Sequence, residues 1–224
     1  MLTLSTSCGY PVRMARRGSD RPVRKRPDRY HHGDLRRALL QAAVHTIARD
    51  GVQALTLRGV GSMLGVSRTA LYRHFTDKAA LLAAVAAEGF RMLRTQLTEA
   101  WESGGRGVPG FQAMGRAYVQ FAVAHPSHYR VMFGASTPGT TRGEHADEGG
   151  GAFQVLVDAL ADLQRQTRAR QDDLREMAMF VWATVHGVAM LAIDGRLGGE
   201  AAAVARLTDY TVERIVAAIQ LSSG

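Results

Sequence analysis

Cysteine is almost missing from this 224-residue chain: Cys8 stands alone, which excludes an internal disulfide and a thiolate metal set and suits a reducing cytoplasm. No stretch alternates apolar and polar residues as a half-buried strand would, and no segment recurs at a period of 20–50 residues, so an all-α fold without repeats is expected. Long apolar runs are scarce as well. The longest, MAMFVWATVHGVAMLAI from Met177 to Ile193, falls short of the ~20 residues a bilayer core requires and carries His186 at its centre. It reads as a helix buried on both sides, against its own core and against a second subunit, and no membrane partner is expected. The apolar stretch 1–12 is followed by arginines where a signal peptide would have them in front, and Met14 is an alternative start. Catalytic signatures are lacking too. There is no P-loop, no nucleophile spaced from a base, and no metal cluster. His31 and His32 point apart, with no carboxylate or thiol beside them, so no cofactor, metal or enzymatic activity is expected.

What the chain does have is arginine, unevenly placed. The formal charge is +8 overall, but residues 1–78 hold 15 Lys and Arg against 5 Asp and Glu, and the remainder is slightly acidic. Basic charge concentrated at one end is the footprint of a polyanionic partner. Residues 1–29, rich in arginine and interrupted by Pro11, Pro22 and Pro27, cannot bury apolar surface and read as a disordered basic tail: a solvated leader, or an arm reaching DNA.

The stretch TLRGVGSMLGVSRTALYRHFTDK, residues 56–78, organises the rest. Val60, Leu64, Val66 and Leu71 are spaced to bury the seam of two crossing helices, and Gly61 and Gly65 sit where the helices approach and the chain turns. Thr56 and Ser67 stand at N-cap positions, where a side-chain oxygen accepts an orphan backbone N–H. From the second helix Arg68, Thr69, Ala70, Tyr72, Arg73 and His74 project, a donor-rich set short enough to enter a major groove. Lys78, the only lysine outside the tail, begins the next helix and suits a phosphate. Gly59 is costly for the first helix, by up to ~1 kcal/mol relative to Ala.

Around this stretch the periodicity predicts further helices. One is capped by Asp34, striped with Leu35, Leu39, Ala42, Ala43, Thr46 and Ile47, and stopped by Gly51. Asp77 caps another over 78–102, which buries Leu81, Leu82, Val85, Phe90, Leu93, Leu97 and Trp101. A break from Gly104 to Gly110 precedes a helix over 111–124, then a short one from Pro126, a Gly-rich loop over 134–151, and helices over 152–169, 172–194 and 200–221. The division expected is a basic tail to residue 29, a DNA-binding domain over 30–80, and a helical domain over 81–224, with the boundary running along one helix.

YHHGDLRRALLQAA at 30–43 and LTLRGVGSMLGVSRTALYRHFTDKAALL at 55–82, separated by a helix end at Asp50-Gly51, resemble the DNA-binding domain of the TetR/AcrR family of bacterial transcriptional regulators. The resemblance implies a three-helix helix-turn-helix domain followed by an effector-binding, dimerising domain, about nine helices in all. It implies that Thr56, Ser67, Tyr72, His74 and Lys78 hold phosphates while Arg68, Thr69, Ala70 and Arg73 face bases. VWATVHGVAML, with Trp182, His186 and Gly187, is similar to the Trp-His-Gly signature of one group of TetR-type ligand-binding domains, and HPSHYRVMF resembles its companion feature.

A ligand cavity in the second domain is expected among Trp101, Met114, Tyr118, Phe121, Met132, Phe133, Phe180, Trp182, His186 and Met190, since aromatic rings and flexible thioethers with few polar groups suit an adaptable apolar pocket. His186 is either a satisfied core residue or the pocket's polar handle. The function these features imply is a cytoplasmic, homodimeric, sequence-specific DNA-binding regulator, a repressor released from operator DNA by a small apolar or aromatic effector. A constitutive architectural DNA binder without a ligand is the alternative.

Overall fold

The computed structural model describes residues 32–134, 146–167 and 174–221. The basic tail lies outside this range. Nine helices and no strand occur among the described residues: α1 (His32–Ala54), α2 (Leu57–Met63), α3 (Arg68–Tyr72), α4 (Lys78–Ser103), α5 (Gly107–Ala124), α6 (Pro126–Phe133), α7 (Ala146–Thr167), α8 (Leu174–Ile193) and α9 (Ala201–Leu221). The all-α expectation holds.

Several boundaries differ from those read in the sequence, each for a local reason. Helix α1 is already helical at His32, so Asp34 lies inside it and not at its start. Gly51 does interrupt α1, at φ 82 and ψ 166, a backbone that L side chains rarely adopt, and one further turn follows it to Ala54. Helix α5 starts at Gly107, four residues before Phe111. Its first turn accepts Pro109 because the first N–H groups of a helix have no intrahelical acceptor to lose. The turn between α4 and α5 is therefore only 104–106. Helix α7 begins at Ala146, inside the expected Gly-rich loop, of which residues 135–145 lie outside the described range.

Helices α4 and α5 form the centre. Helix α4 packs against α1, α5, α6 and α7, while α5 packs against α4, α6, α7, α8 and α9. All seven residues expected on the inner side of α4, from Leu81 to Trp101, are buried. Helix α6 crosses α4 at Gly89, where an added Cβ would stand 2.5 Å from the Met132 sulfur, and it also touches α1. The boundary expected near residue 80 falls inside α4. That helix runs without interruption from the helix-turn-helix into the core of the larger half, and its 26 residues span about 39 Å at ~1.5 Å per residue.

Helix α8 has one buried face, formed by Ala178, Val181, Val185, Val188 and Ala189. Its other face carries Met179, Phe180 and Leu191, each about half exposed, so within a single chain the helix is covered on one side only. It is also the one described helix long and apolar enough to cross a membrane by length and composition.

Candidate nucleic-acid interface and inner cavity

The helix-turn-helix forms because its caps, seam and turn agree. Thr56 Oγ1 accepts the Gly59 N–H at 3.0 Å and Ser67 Oγ accepts the Ala70 N–H at 3.2 Å, which fixes the starts of α2 and α3. Gly65 turns the chain at φ +64. Leu71 packs so closely on Gly61 that an added Cβ there would meet its methyl at 3.1 Å. Val60, Leu57, Leu71 and Phe75 are buried below, with the Arg36 guanidinium 5.3 Å from the centre of the Phe75 ring. Gly59 also has a local reason: a Cβ at this position would stand 2.9 Å from the Thr56 oxygen that caps the helix.

With the seam turned inward, Thr56, Ser67, Arg68, Thr69, Tyr72 and Arg73 are exposed, and Ala70, His74 and Lys78 are half-buried. Arg73 is the C-cap of α3 and His74 lies just past it, so the expected reading helix is shorter than its set of side chains. Arg58, on α2, is a further exposed cation that the spacing argument passed over. The single carboxylate of the stretch, Asp77, accepts the Ala80 N–H at 2.7 Å and caps α4. Lys78 donates to the Gln53 carbonyl at 3.2 Å, tying the start of α4 to the end of α1. The ammonium has two more N–H donors, so this bond is compatible with a phosphate contact.

The larger half encloses a cavity of about 410 Å³. Met114, Tyr118, Met132, Phe133 and Trp182, five of the ten residues expected to line it, do so. The other five are elsewhere. Trp101 packs against Gly110, Phe121 is completely buried in the core, and Met190 packs on that core away from the cavity. Phe180 faces outward. His186 sits behind the wall. The lining that sequence reasoning missed includes Phe90, Leu93 and Leu97 of α4, which the helical stripe marked only as core, and Arg175 at the start of α8.

His186 belongs to a closed polar knot. Its Nδ1 lies 2.7 Å from the Tyr129 hydroxyl and 3.1 Å from that of Tyr118, the two hydroxyls are 3.0 Å apart, and the Trp182 indole N–H donates to Tyr118 at 2.9 Å. Two hydroxyl protons face one ring lone pair. One hydroxyl donates to Nδ1 and the other to its fellow hydroxyl, an arrangement that requires Nδ1 to carry no proton. Burial favours this state: it lowers the His186 pKa from its usual value, raises that of Tyr118 to about 12, and raises that of Tyr129 further. The rings of Tyr129, Phe133 and Trp182 surround the imidazole. His186 thus has its Nδ1 engaged by the Tyr118 and Tyr129 hydroxyls and is not among the residues lining the cavity. No group of three or more metal-binding side chains occurs among the described residues.

A helix-turn-helix with an exposed basic face, continuous through one helix with a cavity-bearing helical half, defines a DNA-binding regulator. The chain belongs to the TetR family of bacterial regulatory proteins. Residues 39–85 match the family model of bacterial regulatory proteins of the tetR family, and residues 111–215 match the Tetracyclin repressor-like C-terminal domain. It is a transcriptional regulator of that family and not an enzyme. A solved structure of a protein with unknown function from Rhodococcus sp. RHA1 is 33% identical, with a TM-score of 0.71 over 83% of this chain and 97% of that one. A bacterial regulatory protein in the tetR family from Rhodococcus RHA1 is 19% identical, with a TM-score of 0.63 over 80% and 96% of the two chains. The ketosteroid transcriptional regulator KstR2 of Mycobacterium tuberculosis is 16% identical, with a TM-score of 0.60 over 83% and 94%. These last two share the fold. No curated protein matches the chain.

Proposed function

We propose that the chain is a cytoplasmic, homodimeric repressor that reads operator DNA through α3 and releases it when a small apolar or aromatic molecule occupies the cavity. Arg68, Thr69, Ala70 and Arg73 would face bases, and Thr56, Ser67, Tyr72, His74 and Lys78 would hold phosphates, with residues 30–80 as the reading domain and 81–224 as the sensing and pairing domain. One observation carries the reading: α4 begins at Lys78, beside the reading helix, and lines the cavity with Phe90, Leu93 and Leu97. A ligand that prefers one setting of α4 shifts the spacing of two reading helices by its differential affinity for the two settings. Helix α6 supports the same coupling, since it lines the cavity with Met132 and Phe133 and packs on α1.

The test is selection of fragments from random DNA by the purified protein, followed by sequencing. A palindrome whose half-sites lie about one helical turn apart, roughly 34 Å or a multiple of it, is the expected result. Fragments recovered without common sequence would overturn it in favour of a constitutive architectural binder.

A further inference from the structure

We propose that Arg130 couples the DNA-reading half to the end of α8 through α6, in parallel with α4. The coupling needs DNA binding but no effector. Three consecutive residues of α6 each join a different place. His128 Nε2 lies 3.4 Å from Glu88 Oε2 on α4, the Tyr129 hydroxyl lies 2.7 Å from His186 Nδ1 within α8, and Arg130 reaches the last residue of α8 and the one after it. Successive helix positions are about 100° apart, so one short helix faces three neighbours at once.

Arg130 is the link that closes α8. Past the end of that helix, Asp194, Gly195 and Arg196 turn their N–H groups back on the carbonyls of Met190, Ala192 and Leu191. The carbonyl of Ile193 accepts from Arg130 Nη2 at 2.9 Å, and the same nitrogen donates to Asp194 Oδ1 at 2.9 Å. A cation carried by α6 therefore sits at the negative end of α8 and completes its last turn. On its other sides α6 packs against α1, and it lies so close to α4 that a Cβ at Gly89 would stand 2.5 Å from the Met132 sulfur. Packing this tight transmits displacement instead of absorbing it, so α6 follows a shift of α1 and α4, and Arg130 carries that shift to the end of α8.

Hydrogen exchange of the full chain, read at the Asp194, Gly195 and Arg196 amides with and without saturating DNA recovered by selection, tests the link. Arg130 is exposed, so variants at this position should fold and still bind DNA. Exchange at the three amides should slow by about three- to tenfold when DNA binds the wild type, the range of one exposed charge-assisted hydrogen bond. Arg130→Gln should speed exchange in the free chain by a similar factor and remove the response to DNA. Arg130→Lys keeps a cation within reach of the same carbonyl and should restore part of both. Equal slowing by DNA in wild type and Arg130→Gln, or no response of these amides in the wild type, would overturn the coupling. Unchanged exchange in the free Arg130→Gln chain would overturn the cap on which it depends. Each outcome is read without a ligand, so failure of this link and failure of the effector reading are separate results.

Discussion

The Tyr129 hydroxyl stands 2.7 Å from Nδ1 of His186, and this contact holds the imidazole neutral inside a knot that tolerates no additional proton. The knot predicts an order of costs. Tyr129→Phe leaves Tyr118 able to donate to Nδ1 and accept from Trp182, so about 1 kcal/mol is lost. Tyr118→Phe removes the acceptor of the Trp182 N–H as well and should cost more, up to about 3 kcal/mol. Equal urea midpoints for the two variants would sink this account.

The same burial makes stability depend on pH. His186 and His125 both have pKa values lowered from 6.5 in the folded chain, chiefly by burial, so the unfolded chain takes up protons first as the solution is acidified. Stability from these groups is full above about pH 6.5 and declines as pH falls below it, until the folded-state values are reached. Urea melts at pH 7.5 and 5.5 should show the loss, and the pair His125→Gln with His186→Gln should flatten it. An unchanged slope in the double variant would exclude the two histidines.

Gly59→Ala should fail to stabilise α2. Helix propensity favours alanine by up to ~1 kcal/mol, but the new Cβ, 2.9 Å from Thr56 Oγ1, displaces a cap of similar worth. A full 1 kcal/mol gain in thermal or urea unfolding would show that the Thr56 cap contributes nothing.

At the DNA face, Lys78→Ala should weaken binding to all sequences and reduce the salt slope by about one, whereas Arg73→Ala should relax one base position at a cost of ~1–3 kcal/mol. Because Lys78 also holds the Gln53 carbonyl, some loss of stability accompanies its removal, and the salt slope is the quantity that isolates a phosphate contact. An unchanged slope would remove Lys78 from the interface.

The helix-turn-helix was legible because each of its requirements is local: caps at Thr56 and Ser67, a glycine turn, a short apolar seam. The cavity was only half legible. Periodicity places Phe90, Leu93 and Leu97 on the inner side of α4 but cannot say whether a partner atom or empty space faces them. His186 was the clearest case, since sequence left open whether it faced a ligand or the wall, and the answer depends on Tyr118 and Tyr129, 68 and 57 residues away. The helix over 177–193, expected to be buried on both sides, shows the same limit: Val188 is buried within the chain itself, whereas Phe180 and Leu191 on its other side are half exposed.

The outer side of α8 offers a probe of pairing. Phe180, Gly187 and Leu191 share one side of α8 at spacings of seven and four. Phe180 is 50% and Leu191 45% exposed, and an added Cβ at Gly187 meets nothing within 4 Å. A half-exposed apolar stripe with a glycine at its middle suits close approach of a second helix. Phe180→Arg should leave the chain folded but monomeric in sedimentation, whereas Val188→Arg should unfold it by burying an unpaired charge. A wild-type monomer at micromolar concentration would refute the dimer outright.

Cavity and DNA should compete through α4. Val185, buried and part of the lining, probes this coupling. Val185→Phe should fill space, abolish the response to an apolar probe such as decanol and hold one DNA affinity, while a simple core role predicts a loss of stability without change in coupling. Linkage then fixes a quantitative relation. The factor by which decanol weakens operator binding must equal the factor by which operator weakens decanol binding, for coupling of 1–3 kcal/mol about 5- to 150-fold. Titrations of decanol with and without the selected DNA measure one factor, and operator titrations with and without decanol measure the other. If decanol binds with the same affinity in both cases, the cavity is occupied without being coupled to α3, and release by a ligand at this site is excluded for that compound.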